Sequence, residues 1–136
     1  MLKGEGNEFM KFTFNQEDPL YIQIAKQLEE MILTKELTEG EQVSSTTQLS
    51  QALKVNPATV LKGMNLLVDN QLIEKKRGMG MFVRRGAYQK IVNKRQDDFY
   101  QNFIEKMVSE AQQLNISKQK LFEMIERGYS NDNTNS

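Results

Sequence analysis

Apolar residues recur at helical spacing near the start of the chain. The repeating positions are Leu20, Ile24, Leu28 and Met31. This spacing predicts an amphipathic helix that buries one face and runs to about Lys35. Asp18 and Pro19 predict where the helix begins, because aspartate is a good N-cap and proline is favoured at the first helical position. The segment Phe9–Phe14 before it alternates in part and predicts a short strand.

A short second helix is predicted over roughly Thr46–Leu53. Ser44 and Ser45 precede it and can cap it with their hydroxyl groups. We expect Leu49, Ala52 and Leu53 to form its buried face. Lys54 and Val55 then form a tight turn.

A third helix is predicted to open at Asn56 and Pro57, a second pair of N-cap and proline, and to end near Asn70. Its expected buried stripe is Val60, Met64 and Leu67, with Gly63 allowing close packing. Two apolar segments follow, Leu72–Lys76 and Met81–Arg85. They flank a glycine-rich turn at 77–80 and predict a β-hairpin with a basic tip.

The rest of the chain returns to a helical pattern. Apolar residues keep helical spacing for 27 residues from Tyr88 to Leu114, and Ser117 then caps a last helix that Gly128 ends. The predicted organisation is a first domain over 9–85 and a helical tail over 86–128. Segments 1–8 and 129–136 are predicted to be disordered.

Composition removes several classes of function. The 136 residues include no cysteine and no histidine, so the commonest metal ligands and the commonest general base are missing. We therefore expect no metal, no cofactor and no enzymatic activity. No apolar run approaches the ~20 residues that span a bilayer, and the N-terminus has no signal-peptide core. These features predict a cytoplasmic protein.

The formal net charge of zero conceals an uneven distribution. Residues 41–95 hold ten lysines and arginines against three acidic residues, a formal charge of +7, whereas 1–40 carry −4 and 96–136 carry −3. A basic middle segment in a neutral protein is a candidate polyanion-binding face.

The order of helix, short helix, turn, third helix and basic hairpin predicts a winged helix-turn-helix domain. The expected fold is mainly α-helical, with a small β-hairpin wing and a C-terminal helical dimerisation tail. Such a domain places its third helix in the major groove of double-stranded DNA, while hydroxyl and basic groups contact phosphates. The candidate DNA-binding residues are Ser44, Ser45, Thr46, Thr47, Asn56, Pro57, Ala58, Thr59, Leu61, Lys62, Lys75, Arg77, Gly78 and Gly80.

The sequence also resembles a known family. The segments PLYIQIAKQLEEMI, Ser44–Leu49, VNPATVLKGMNLLVDNQLI and RGMGMFV are similar to the N-terminal DNA-binding domain of GntR-family bacterial regulators. The Asn56–Pro57 pair and the short tail resemble the YtrA-type subfamily. This resemblance implies a sequence-specific regulator that dimerises through its tail and represses a transporter operon or its own operon.

The sequence departs from the family at several DNA-contacting positions. Relatives often have arginine where this chain has Thr47, Pro57 or Leu61. Arginine is the usual partner of guanine. We therefore expect half-sites rich in A·T pairs, with one guanine contacted by Lys62. The alternative for Leu61 is that it turns inward and only packs.

The tail pattern predicts a homodimer. A 27-residue helix is ~40 Å long, too long for a small domain to cover, so a second chain is the expected partner. The candidate dimerisation residues are Val92, Phe99, Phe103, Met107, Ala111, Leu114, Leu121, Phe122 and Ile125. The space between the tail helices could also hold a small-molecule effector, although no residue pattern identifies one.

Two other interpretations stay open from the residues alone. One is a winged-helix module for protein–protein contact without specific DNA binding, which the basic wing argues against. The other is an enzyme that uses acidic pairs such as Glu17 and Asp18. Carboxylates adjacent in sequence point to different parts of a surface, so they are poor candidates for a catalytic pair.

Overall fold

A computed structural model describes residues 12–135, and their contacts divide the chain into two compact units, one up to Lys94 and one from Arg95 onward. The helices of the first unit are α1 (Leu20–Leu33), α2 (Thr46–Leu53) and α3 (Pro57–Asp69). Its strands are β1 (Gln42–Val43), β2 (Ile73–Lys76) and β3 (Gly80–Val83). The helix α4 (Ala87–Phe99) begins in this unit, and a π-helix (Tyr100–Ile104), α5 (Glu105–Gln113) and α6 (Lys118–Asn135) follow.

The core of the first unit is built from the faces that the hydrophobic spacing predicted. Each of the three helices contributes fully buried side chains, and the sheet closes one side of the cluster. The fully buried members are Ile24, Leu28, Ile32, Leu49, Val60, Met64, Leu67, Ile73 and Val83. One expectation for α2 was wrong, because Ala52 is exposed and Leu53 only half-buried. The short helix therefore buries little more than Leu49.

The close approach of α1 and α3 depends on Gly63, as predicted. A Cβ atom added at Gly63 would lie 2.8 Å from the carbonyl oxygen of Tyr21 and 3.4 Å from Ile24. Because the nearest atom belongs to the backbone, no side-chain rotation could relieve that contact. Gly63 therefore fixes the distance between the first and third helices.

In the first unit, two of the three predicted helix starts are confirmed. Asn56 caps α3, with its side-chain oxygen accepting a hydrogen bond from the Ala58 amide at 2.8 Å, and Pro57 is the first helical residue. Ser45 caps α2 through a capping box, in which its side chain and that of Gln48 each bond the other's backbone amide. These bonds satisfy amides that no helical carbonyl can reach.

The predicted start of α1 was wrong by one residue. Pro19, and not Asp18, is the N-cap, and its carbonyl accepts hydrogen bonds from the amides of Ile22 and Gln23. The Gln23 side chain organises the entry instead, donating to the carbonyls of Asn15 and Asp18 and accepting from the Asn15 amide at 2.8 Å. A buried glutamine thus fixes the segment that leads into α1, and the N-cap makes no side-chain hydrogen bond to the first amides of the helix.

The wing is a three-stranded antiparallel sheet in the order β1–β3–β2. The predicted hairpin is confirmed, with Lys76 paired to Gly80 across the turn and Ile73 paired to Val83. Strand β1, which the sequence did not predict, adds to the outer side of β3 through Gln42 and Phe82. The strand expected over Phe9–Phe14 is not formed at 12–14, and residues 9–11 lie outside the described part of the chain.

The first helix of the tail agrees with the prediction, and the last helix runs further than predicted. The expected helix over 88–114 is observed as α4, the π-helix and α5 without a break, and the Glu105 amide bonds the Tyr100 carbonyl at the π-helical spacing. The last helix passes Gly128 and continues to Asn135, so the disorder predicted from 129 is wrong up to that residue. A single glycine costs a helix only about 1 kcal/mol, which an established helix can absorb. Segment 1–8, also predicted to be disordered, lies outside the described residues.

The division between the two units also differs from the predicted boundary at 85/86. Ala87 and Ile91 of α4 are buried in the core of the first unit. The first turns of α4 therefore belong to the winged domain, and the boundary falls after Lys94.

Candidate nucleic-acid interface

Helix α3 presents one face to the core and the other to solvent. Val60, Met64 and Leu67 point inward, whereas Asn56, Pro57, Ala58 and Lys62 are exposed and Thr59 is half-buried. Leu61 is 44% exposed, so the alternative in which it turns inward is wrong. The first turns of α3 thus expose mainly short or apolar side chains, together with Lys62, the one lysine of the helix.

The hydroxyl-bearing residues before and within α2 differ in their access to solvent. Ser45 and Thr47 are exposed, while the half-buried Thr46 directs its hydroxyl to the sulfur of Met64 at 3.7 Å. Ser44 is only 4% exposed, and its Oγ is buried without a hydrogen-bond partner among the described residues. The buried hydroxyl of Ser44 therefore gives no support to the expected contact between this side chain and a phosphate.

The wing brings its predicted residues together at one exposed tip. Lys75, Arg77, Gly78 and Gly80 are all exposed, and Gly78 and Gly80 have φ angles of +76° and +114°. Such angles strain residues with side chains, which explains the two glycines. The neighbouring Lys76 is also exposed, with its ammonium 4.8 Å from the centroid of the Phe82 ring.

Sequence reasoning missed two residues at this tip. Gln42 on β1 donates from Nε2 to the Met79 carbonyl at 2.9 Å, and a Cβ atom at Gly80 would lie 2.7 Å from the same nitrogen. Met79 itself is 63% exposed. An apolar residue between two glycines was a visible signal for Met79. Nothing marked Gln42, because a strand of two residues has no period.

The described part of the tail carries many exposed apolar side chains. Phe99, Phe103, Leu114, Phe122 and Ile125 are all exposed, and the rings of Phe99 and Phe103 lie 5.1 Å apart. Val92, Met107 and Leu121 are half-buried. Ala111 is buried within its own chain, which removes it from the predicted dimerisation face. Tyr100, Val108 and Tyr129 are exposed apolar residues that the prediction omitted.

A groove of about 370 Å³ lies within the second unit. Apolar side chains form most of its wall, and Gln112 and Lys118 provide polar groups. The lining residues are Val108, Ala111, Gln112, Ile116, Lys118, Leu121 and Phe122. Its volume lies within the range of small-molecule sites.

The described residues carry neither a candidate metal site nor a membrane-spanning helix. Within 12–135 there is no cluster of three or more acidic, histidine or cysteine side chains that could hold a metal ion. The same part of the chain contains no helix that is long and apolar enough to cross a membrane.

Three packed helices, an exposed third helix and a basic hairpin define a winged helix-turn-helix DNA-binding domain. A family model described as "Bacterial regulatory proteins, gntR family" matches residues 20–83. Among solved structures, YtrA from Sulfolobus acidocaldarius, a GntR-family transcription factor, is 31% identical with a TM-score of 0.52, over 61% of this chain and 87% of that one. The chain belongs to the GntR family.

Two relatives from Bacillus subtilis extend the similarity into the tail. The HTH-type transcriptional regulator YhcF is 28% identical over 116 residues, which cover 85% of this chain and 94% of YhcF. The HTH-type transcriptional repressor YtrA is 26% identical over 107 residues, covering 79% of this chain and 82% of YtrA. The protein is therefore a DNA-binding transcriptional regulator, as the sequence predicted.

Proposed function

We propose that the protein is a homodimeric repressor that binds an operator through α3 and the wing of each protomer. The observation that carries this proposal is the outward face of α3, where Ala58, Leu61 and Lys62 are exposed while the opposite face of the helix is buried in the core. A helix with short side chains can approach base edges closely in the major groove. The contacting residues are proposed to be Ser45, Thr47, Asn56, Pro57, Ala58, Thr59, Leu61, Lys62, Lys75, Arg77, Gly78 and Gly80.

The homodimer is supported by the uncovered apolar side chains of the tail. Phe99, Phe103 and Phe122 are each more than half exposed in the single chain. Burying apolar surface contributes roughly 25 cal/mol per Å², so a second copy of the tail would gain stability by covering these rings. A two-fold dimer also presents two copies of α3, which suits an operator with two related half-sites.

A repressor that acts by occupying the promoter is supported by one relative, the transcriptional repressor YtrA of Bacillus subtilis. A bound dimer would block the promoter without a catalytic step, a metal or a cofactor, and would act in the cytoplasm, where bacterial DNA lies. We propose that the controlled genes are a transporter operon or the regulator's own operon, with a small-molecule effector acting through the tail.

Selection from a random duplex library tests this proposal. We expect the full-length protein to enrich an inverted repeat whose half-sites lie about 10 base pairs, or a multiple, apart. Sedimentation should show one dimer per duplex. Binding should weaken steeply with salt, because phosphate contacts release counterions. A protein that retains no duplex at any salt concentration would instead be an interaction module. Enrichment of an unrepeated site by a monomer would contradict the dimer.

A further inference from the structure

The single lysine of α3 lies over an aromatic ring of α1. Lys62 Nζ is 4.2 Å from the centroid of the Tyr21 ring, well inside the ~6 Å at which a cation is attracted to the face of a ring. Tyr21 is half-buried and Lys62 is exposed. The ring therefore covers one side of the ammonium and leaves the other side open to solvent, with N–H donors available.

The same tyrosine also contacts the next residue of α3. Its carbonyl oxygen packs against Gly63, where a Cβ atom would come within 2.8 Å. Tyr21 thus contacts two consecutive positions of α3, one through its backbone and one through its ring. The backbone contact does not depend on which side chain stands at position 21. A substitution of the ring therefore changes the environment of Lys62 and leaves the contact with Gly63 in place.

We propose that Tyr21 is a positioning residue for DNA binding, whose ring holds the Lys62 ammonium in place before DNA arrives. The inference rests on the proposed function, in which Lys62 contacts DNA. A free lysine side chain loses rotamer freedom when it is fixed at an interface, and this loss weakens binding. A lysine already held against a ring loses less. The ring lies on α1, outside the residues proposed to contact DNA.

An experiment without DNA tests the contact itself. In protein labelled with ¹³Cε-lysine, the ring current of Tyr21 should shift the Lys62 resonance upfield, with the resonance assigned by its absence in Lys62→Arg. Tyr21→Phe keeps a ring and should keep the shift, whereas Tyr21→Leu should remove it. An unshifted Lys62 resonance in the unsubstituted protein would overturn the proposal, whatever the DNA measurements show.

A second experiment tests the role, with the duplex selected by the unsubstituted protein as the probe. Tyr21→Leu should weaken binding about two- to fivefold, the scale of an exposed cation–π contact, and Tyr21→Phe should match the unsubstituted protein. Lys62→Gln should also weaken binding, and it should relax the preference for guanine at the base pair that Lys62 contacts. Adding Tyr21→Leu to Lys62→Gln should then cause no further loss.

The other outcomes are distinguishable. An equal loss from Tyr21→Leu with or without Lys62 would mean that the tyrosine acts only on the fold, and tighter binding would mean that the ring competes with DNA. Either result overturns the proposal. A loss in Tyr21→Phe equal to that in Tyr21→Leu would assign the effect to the hydroxyl group and would also overturn the proposal. If Tyr21→Leu does not fold, Tyr21→pentafluorophenylalanine keeps the ring shape without its negative face and should give the same loss.

Failure of the unsubstituted protein to select any duplex would refute the proposed function, and the resonance of Lys62 would still report the contact.

Discussion

The side-chain amide of Gln42 holds the backbone of Met79, with 2.9 Å between Nε2 and the carbonyl oxygen. The bond joins the short strand β1 to the turn of the wing, and the Met79 amide bonds the Lys76 carbonyl at the same distance. Both the amide and the carbonyl of Met79 are therefore hydrogen-bonded, and we expect these bonds to hold the basic tip in place.

Gln42→Ala should loosen the wing tip. A typical hydrogen bond contributes about 1 kcal/mol, which corresponds to a roughly fivefold loss of DNA affinity if the fixed tip contributes to binding. Hydrogen exchange should accelerate at the Met79 amide while the core amides stay protected. Gln119→Ala, an exposed glutamine on α6, is the matched control and should change neither quantity. Unchanged exchange in Gln42→Ala would show that the strand pairing alone fixes the tip.

Arg77 is expected to supply affinity more than sequence preference. It is exposed at the wing tip beside Lys75 and Lys76, where it suits phosphate and minor-groove contacts. Arg77→Ala should weaken binding to every duplex and reduce the salt slope by about one unit. The control is Arg127→Ala, an exposed arginine on α6. A salt slope that does not change in Arg77→Ala would reject the phosphate contact.

Residues adjacent in sequence predicted the helix starts better than they predicted strand β1 of the wing and the length of the tail. Asn56 with Pro57 identified the start of α3 because capping depends on adjacent residues. The pairing of Gln42 with Phe82 joins positions that are far apart in sequence, and two residues carry no alternating pattern to reveal it. The burial of Ser44 likewise follows from tertiary packing. In the sequence, nothing distinguishes the Ser44 hydroxyl from those of Ser45 and Thr47, which are exposed.

Gly63→Ala should destabilise the protein. The added Cβ would meet the backbone oxygen of Tyr21 at 2.8 Å, and overpacking of this kind typically costs about 1–3 kcal/mol. Urea unfolding should show a lower midpoint with an unchanged slope. Gly128→Ala in α6 is the opposite case, because nothing lies within 4 Å of its added Cβ. There alanine is the better helix former, by up to about 1 kcal/mol, so the same substitution should be neutral or stabilising.

The tail should assemble the dimer, and the structure places the informative truncation after Lys94. Ending the chain after Gly86 would remove Ala87 and Ile91 from the core, and the loss of one large buried side chain alone typically costs about 2–5 kcal/mol. Ending it after Lys94 keeps both residues and should give a folded monomer that binds its operator weakly.

A substitution in the full chain tests the same interface without truncation. Phe103→Ser should weaken the dimer, since this exposed ring would be buried against the second copy. Phe14→Ser, an exposed phenylalanine of the first unit, is the control. Sedimentation at micromolar concentration separates the outcomes. A chain ending at Lys94 that is still dimeric would place the interface in the winged domain.

The last prediction concerns how the protein distinguishes bases without arginine on α3. The methyl-bearing side chains Thr47, Ala58 and Leu61 are exposed. The half-buried Thr46 instead directs its hydroxyl to the sulfur of Met64. Methyl groups favour the thymine C5-methyl, and guanine is best recognised by arginine or lysine. We therefore expect half-sites dominated by A·T pairs, with Lys62 contacting one guanine.

Replacing thymine by uracil removes only the methyl group and tests this recognition directly. A mismatched pair typically costs about 1–3 kcal/mol, so the loss per uracil should be smaller than that but measurable at one position or more. Because Leu61 points outward, Leu61→Arg should shift the preference at the base it faces toward guanine, in a repeat of the library selection. Gln119→Arg, at an exposed position of α6 outside the winged domain, is the control and should leave the base preference unchanged. G·C-rich half-sites, or uracil without effect at every position, would mean that the methyl groups of α3 do not determine the operator.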